Sequence, residues 1–302
     1  MRNAFIDELV FQATTNDRIA LVVGDLGYSV VEPFSERFPE RFINAGVAEQ
    51  NMMSMAAGMA SEGYHVFVYS IANFPTFRCA EQIRNDIAYH QLPVTVVSVG
   101  GGLSYGNLGY SHHAIQDYAL LRVMPNILIA APGDPMEVKG CIKYLVNKPC
   151  PSYLRLGRAG EINIHPEIPN INPGEWLKIN QVENAQYVYL STGTTLCSLH
   201  EKLLYGKNTE IALFSMPLWG MHYKTMQVKN VEPYTTISTF EDHLVDGGFG
   251  SWLLESMQEN TKYRSKIKIN GLSDNVAGMV GSNIELCEIS GLYKELDTRF
   301  SF

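Results

Sequence analysis

In Gly46-Val47-Ala48-Glu49-Gln50-Asn51-Met52, the carboxyl of Glu49 is the group best placed by its neighbours to do chemistry. A short apolar run, Arg41-Phe42-Ile43-Asn44-Ala45, precedes it, and Met52, Met53, Met55, Ala56 and Met59 follow in a helical pattern. A strand turning directly into a helix sets the acid at the carboxyl edge of a sheet, where ligands of open α/β sheets collect. A carboxyl beside a hydrophobic helix is poorly solvated, and poor solvation raises its pKa toward the range that suits proton transfer. The alternative is an acid in the first helical turn that stabilises the dipole from solvent.

Two further stretches carry reactive or ring-bearing groups. Phe74 and Phe77 are spaced i, i+3 at a helix start and share a face, either as core or as a ring-stacking platform. The run Gly100-Gly101-Gly102-Leu103-Ser104-Tyr105-Gly106-Asn107-Leu108-Gly109-Tyr110-Ser111-His112-His113 follows the apolar segment Val94 to Val99. A glycine-rich loop after a buried strand lets backbone approach a ligand. Adjacent histidines point differently, so at most one faces a site. An imidazole there can bond a hydroxyl or shuttle a proton near pH 7. Neither histidine has a carboxylate or cysteine at metal-ligand spacing, so a metal site is the weaker reading and none is assigned.

The elements that must position these groups alternate regularly. Strands are expected near Ile19–Val23, Phe42–Asn44, Val66–Tyr69, Val94–Val99, Ile127–Ala131 and Tyr153–Arg155, with helices near 3–15, 48–62, 74–89, 114–123 and 134–147. That alternation implies a mostly parallel, doubly wound α/β sheet. Pro166, Pro169 and Pro173 then interrupt the pattern. A second alternation follows, with strands near Tyr187–Ser191, Ile211–Phe214, Thr236–Phe240 and Ile267–Ile269 and helices near 194–205, 247–259 and 284–297. Two α/β domains are therefore expected, over 1–165 and 181–302, joined by a linker at 166–180. A length of 302 residues and 46% hydrophobic content suit two such cores.

The net charge of −8 argues against a general nucleic-acid or anionic-membrane partner. The apolar runs are too short to span a bilayer. Five scattered cysteines without Cys-x-x-Cys, and acids where a signal peptide would be apolar, point to a cytoplasmic protein with reduced thiols.

Gly46-Val47-Ala48-Glu49-Gln50-Asn51-Met52, Tyr69-Ser70, Ala80-Glu81-Gln82-Ile83-Arg84-Asn85, Ser111-His112-His113 and Ala131-Pro132-Gly133-Asp134, in this order, resemble the transketolase family of thiamine-diphosphate enzymes. The resemblance covers the family's pyrimidine-binding domain and C-terminal domain. It implies that Glu49 bonds a ring nitrogen of the cofactor's aminopyrimidine and so promotes loss of the thiazolium C2 proton. Phe74 and Phe77 fall where the family stacks the pyrimidine, although a third aromatic usual three residues earlier is Ile71 here. Asp25, in the turn Gly24-Asp25-Leu26-Gly27, is carried over as a cofactor contact. His112 matches the substrate-site histidine, and Arg2, Ser29 and Arg158 match phosphate contacts, a task that suits arginine. Glu241-Asp242-His243 and Gly247-Gly248-Phe249-Gly250-Ser251 resemble a structural element of the second domain.

What is missing shapes the reading further. The family's Gly-Asp-Gly and downstream Asn, which hold Mg²⁺ and the diphosphate, are not found. The resemblance therefore implies the C-terminal subunit of a split transketolase, moving a two-carbon ketol unit from a ketose to an aldose, either of which can be a sugar phosphate. An N-terminal subunit would carry the diphosphate-binding domain and the Mg²⁺ ligands, with α2β2 the simplest assembly. Gly100 stands where the family has a His and Leu108 where it has an Asp, which predicts altered substrate choice at those contacts. The alternatives are a β subunit of a 2-oxo acid dehydrogenase E1, a 1-deoxyxylulose-phosphate synthase fragment and a non-catalytic binding subunit.

Overall fold

The computed structural model describes residues 1–180, 182–205, 210–258 and 265–296. Its strands are β1 (Ile19–Val23), β2 (Phe42–Asn44), β3 (His65–Ile71), β4 (Val94–Val99), β5 (Leu128–Ala130), β6 (Ser152–Leu156), β7 (Leu177–Lys178), β8 (Tyr187–Ser191), β9 (Ile211–Ser215), β10 (Leu218–Trp219), β11 (Thr236–Leu244) and β12 (Lys266–Leu272). They form a seven-stranded sheet in the order β10-β5-β6-β4-β3-β1-β2 and a five-stranded sheet in the order β12-β11-β8-β9-β7. All pairings are parallel except β10 with β5 and β7 with β9. The expected doubly wound α/β fold is present.

Burial on both faces explains the continuous apolar strands. Every residue of β1 and β4 is buried, as a parallel sheet covered on both faces requires. One face takes Phe5, Leu9, Val138, Ile142 and Leu145 from the helices Arg2–Thr15 and Pro135–Asn147. The other takes Met52, Met53, Ala56, Ala57 and Ala60 from the helix Glu49–Ser61. The small side chains let that helix lie close to β1 and β3.

Two details depart from the expectation. The helix expected at 74–89 is broken into Phe74–Phe77, Ala80–Gln82 and a π-helical turn Ile83–Ala88. Pro75 occupies the first turn, where a missing N–H costs nothing, and Thr76 bonds back to the carbonyl of Ala72 at 2.9 Å. The strands β7 and β10 are two residues each; β7 lies in the segment expected as linker, and β10 joins the first sheet from beyond it. Residue 259 and residue 297, at the ends of two expected helices, lie outside the described residues. Among the described residues, no helix is long and apolar enough to cross a membrane.

Candidate active site

The residues singled out from the sequence converge on one edge of the seven-stranded sheet. Asp25 and Ser29 follow β1, Glu49 follows β2, Phe74 and Phe77 follow β3, Leu108 and His112 follow β4, and Arg158 follows β6. Arg2 begins the first helix and reaches the same edge, where its Nε donates to the carbonyl of Arg158 at 2.6 Å. This is the carboxyl edge of five neighbouring parallel strands, where loop residues from separate strands can meet around one ligand.

Glu49 opens its helix and is 5% exposed. Its surroundings are not purely apolar, as the sequence suggested: Arg78 Nη1 donates to Glu49 Oε1 at 3.1 Å. The Arg78 side chain is 49% exposed, and its guanidinium carbon lies 4.1 Å from the centroid of the Phe74 ring. A planar, nitrogen-bearing group is thus held between a buried carboxylate and an aromatic face. Arg78 lines two clefts: one of about 440 Å³ with Val47, Ala48, Glu49, Gln50 and Asn51, and one of about 410 Å³ that includes Phe74, Phe77 and Ser111. Sequence reading missed Arg78, because an arginine one residue past the Phe74–Phe77 pair carries no periodic signal.

The imidazole of His112 meets the Phe74 ring edge-on at 5.3 Å and bonds through Nδ1 to Ser111 Oγ at 3.0 Å. His113, not His112, is among the residues that line the cleft with Phe74 and Phe77. It is fully buried, lies 3.4 Å from the Gly106 carbonyl through Nε2, and burial lowers its pKa. Phe77 is 47% exposed at the mouth of the cleft. Leu108, at the tip of the turn Gly106–Leu108, presents an exposed apolar side chain.

The remaining residues are placed less closely. Asp25 is exposed; its Oδ1 accepts from Asn44 Nδ2 at 3.0 Å and Tyr28 Oη at 3.2 Å, tying the loop after β1 to the end of β2. Ser29 sits at φ +66° with its amide already donated to Glu32 Oε1 at 2.7 Å. The Ser29 hydroxyl thus sits beside the Glu32 carboxylate, whose pKa the Ser29 amide lowers. Among the described residues, no three His, Cys, Asp or Glu side chains converge as a metal site. A separate cleft, about 540 Å³ and lined by Arg84, Tyr89 and Asn126 among others, lies on the π-helical turn and contains none of these residues.

The run Gly100-Gly101-Gly102 shows why this loop needs glycine. A side chain at Gly100 would strike the ring of Tyr105, one at Gly101 the guanidinium of Arg155, and one at Gly102 the carboxylate of Asp242. Gly100 and Gly102 also adopt φ of +81° and +64°, which other residues rarely tolerate. Arg155 is buried and bonds Asp117 Oδ2 at 2.7 Å, the Ala114 carbonyl at 2.7 Å and Asp242 of β11. The base of the loop is therefore clamped to both sheets. Glu241 and His243, from the acidic element read as structural, are buried too. Glu241 accepts the amides of Phe249 and Gly250 at the next helix start, and His243 stacks on Tyr118.

Comparison with known proteins bears on this geometry. Residues 1–160 match the family described as "Transketolase, pyrimidine binding domain". The chain is 30% identical to a subunit of the apulose-4-phosphate transketolase of Phocaeicola vulgatus, over 97% of this chain and 94% of that protein. It is also 30% identical to 1-deoxy-D-xylulose-5-phosphate synthase of Clostridium perfringens, over 85% of this chain but 42% of that protein. A solved structure described as "Split gene transketolase, inactive beta4 tetramer" superposes with a TM-score of 0.83 at 27% identity, covering 99% of this chain and 96% of that one.

Proposed function

This chain belongs to the transketolase family, and from that premise we propose that it is the C-terminal subunit of a two-chain, thiamine-diphosphate-dependent transketolase. The observation that carries the proposal is the buried carboxylate of Glu49 facing a planar cation stacked on Phe74. The flat, nitrogen-bearing guanidinium of Arg78 lies between Glu49 and Phe74, and an aminopyrimidine that displaced it would meet the same acceptor and the same ring face. When bound, thiamine diphosphate supplies the carbanion chemistry that carries a two-carbon ketol unit.

The protein's part is to orient and to move protons. Glu49 holds a proton at a pyrimidine ring nitrogen, and its burial keeps competing water away. Phe74 and Phe77 fix the plane of the ring, and Asp25 closes the loop on the same side. His112, braced by Ser111, bonds a substrate hydroxyl. Arg158 and Arg2 hold an anionic end, with the Ser29 hydroxyl as a further contact. The diphosphate and Mg²⁺ fall to a partner subunit in an α2β2 enzyme, with residues 1–165 facing the pyrimidine. The relative from Phocaeicola vulgatus is itself one subunit of a transketolase, which supports a two-chain enzyme, and the split-gene neighbour described as an inactive β4 tetramer supports the need for the partner. The five cysteines are free, in keeping with a cytoplasmic enzyme.

The test is reconstitution. The purified chain with thiamine diphosphate and Mg²⁺ is expected to transfer no ketol unit. Adding a partner that carries Gly-Asp-Gly and a downstream Asn is expected to restore transfer from a ketose to an aldose. A 2-oxo acid, the substrate class of the dehydrogenase alternative, is the control donor. Turnover by the chain alone would overturn the two-chain reading, and use of a 2-oxo acid in place of a ketose would overturn the ketol-transfer reading.

A further inference from the structure

Gly100 leaves room for one ring, and Tyr105 fills it. A Cβ at Gly100 would sit 3.2 Å from Tyr105 Cζ and closer still to the ring edge. The ring is held in place by what surrounds it. The Arg158 guanidinium carbon lies 5.3 Å from its centroid. The His112 imidazole meets it edge-on at 6.3 Å and 69°. The Tyr105 carbonyl accepts from the Leu108 amide at 2.8 Å, so Tyr105 starts the turn that carries Leu108. The side chain is only partly buried.

Tyr105 thus stands between the cation assigned to the substrate's anionic end and the imidazole assigned to a hydroxyl. Of its neighbours in the loop, Gly100 has no side chain and Leu108 is apolar, so neither offers the substrate a hydrogen bond. A phenol both donates and accepts. We propose that Tyr105 is the specificity-determining residue of this site, and that it reads the mid-chain hydroxyl of an acceptor that is a polyhydroxylated aldehyde with an anionic far end. The ring gives Arg158 a platform, and the hydroxyl gives the acceptor a hydrogen bond that its deoxy analogue lacks. The inference rests on the ketol-transfer reading and adds to it the residue that chooses the acceptor.

The experiment uses the reconstituted two-chain holoenzyme with two variants. Tyr105→Phe removes the hydroxyl and keeps the ring against Arg158 and His112, so it should fold as the wild type does. Tyr105→Ala removes both. The first readout is kcat/KM for acceptor pairs that differ by one mid-chain hydroxyl. Tyr105→Phe is expected to narrow the preference for the hydroxylated member about tenfold or more, through KM for the acceptor and with cofactor C2 hydrogen exchange unchanged. Tyr105→Ala is expected in addition to reduce the preference for phosphorylated over free aldoses. The second readout is calorimetric binding of ribose 5-phosphate to the holoenzyme, which needs no turnover. Tyr105→Phe is expected to weaken it about tenfold. A uniform loss across all substrates, or ratios and binding equal to wild type, overturns the inference. If the wild-type pair transfers no ketol unit, the functional reading fails separately, and the binding comparison alone decides the role of Tyr105.

Discussion

Arg78 reaches Glu49 and Phe74 at once, 3.1 Å from the carboxylate oxygen and 4.1 Å from the ring centroid. The two charged partners are unequal. Glu49 is buried at the head of a helix that packs against the sheet, whereas half of the Arg78 side chain is in solvent. A long, half-solvated side chain can swing out to where water solvates its charge, and a buried carboxylate cannot. Glu49 is therefore the fixed element of the pair and Arg78 the exchangeable one.

Replacing the fixed element tests the proton role. Glu49→Gln keeps shape and removes the charge. Turnover of the reconstituted enzyme is expected to fall by about 10²–10⁴, the usual scale for a proton-transfer group. Exchange of the cofactor C2 hydrogen, followed by NMR, should slow in parallel. Exchange at the wild-type rate would reduce Glu49 to a helix-start residue.

The exchangeable element makes a different prediction. Arg78→Leu leaves Glu49 buried without a partner and should destabilise the chain by about 1–3 kcal/mol. Glu49→Gln/Arg78→Leu together should cost less than the sum, because no charge is then stranded. A double-mutant cycle from urea unfolding measures this, and additive losses would show that the pair is not coupled.

The strands and helices around the site were legible because parallel strands buried on both faces read as unbroken apolar runs, as Val94–Val99 does. Glu49 was legible because a strand, an acid and an amphipathic helix adjoin in sequence. Arg78 and Tyr105 were not, since each gains meaning only from partners brought in by other strands: Glu49 for Arg78, Gly100 and Arg158 for Tyr105. The strands β7 and β10 were hidden for a related reason, because two residues carry no periodicity and become a strand only by pairing. The break of the 74–89 helix into a π-turn likewise has no local signal beyond Pro75.

Leu108 is 51% exposed at the tip of its turn and cannot accept a hydrogen bond. Leu108→Asp should raise kcat/KM for aldoses that present a hydroxyl there relative to their deoxy analogues. A change of tenfold or more is expected if the carboxylate meets the hydroxyl. An acceptor panel whose ratios stay unchanged would show that position 108 does not touch the substrate.

Acid sensitivity should come in part from His65. Its ring is buried, Nε2 bonds Thr95 Oγ1 at 2.8 Å, and burial depresses its pKa from 6.5 to about 3. Above pH 6.5 both folded and unfolded chains hold it neutral. Below 6.5 the unfolded chain takes up a proton that the folded chain refuses, so stability present above pH 6.5 is lost as the pH falls toward 3. The loss is on the order of 4 kcal/mol over that range. His65→Phe, stacking on Phe67 as the imidazole does, should flatten the dependence in urea titrations between pH 7 and 4. An identical slope in the variant would assign the acid loss to other groups.

Arg155 should tolerate substitution least of the residues around the loop. Its guanidinium bonds Asp117 Oδ2, Asp242 and the carbonyls of Ala114 and Asp242, all buried, and so ties β6 of the first sheet to β11 of the second and to Ala114, whose carbonyl also accepts the Gly102 amide of the glycine run. Arg155→Met strands two buried carboxylates and should cost about 3–5 kcal/mol. Arg155→Lys keeps the charge, yet one compact ammonium cannot span acceptors arranged for a planar fork, so most of the loss should persist. Adding Asp242→Asn to Arg155→Met removes one stranded charge and should recover part of it. The loop gives an independent readout. With its base unclamped, chymotrypsin should cut at Tyr105 or Tyr110 faster than in wild type under conditions where the rest of the chain stays folded. Near-normal stability in Arg155→Lys, with unchanged cleavage, would mean that charge alone holds the sheets together and that the fork geometry is incidental.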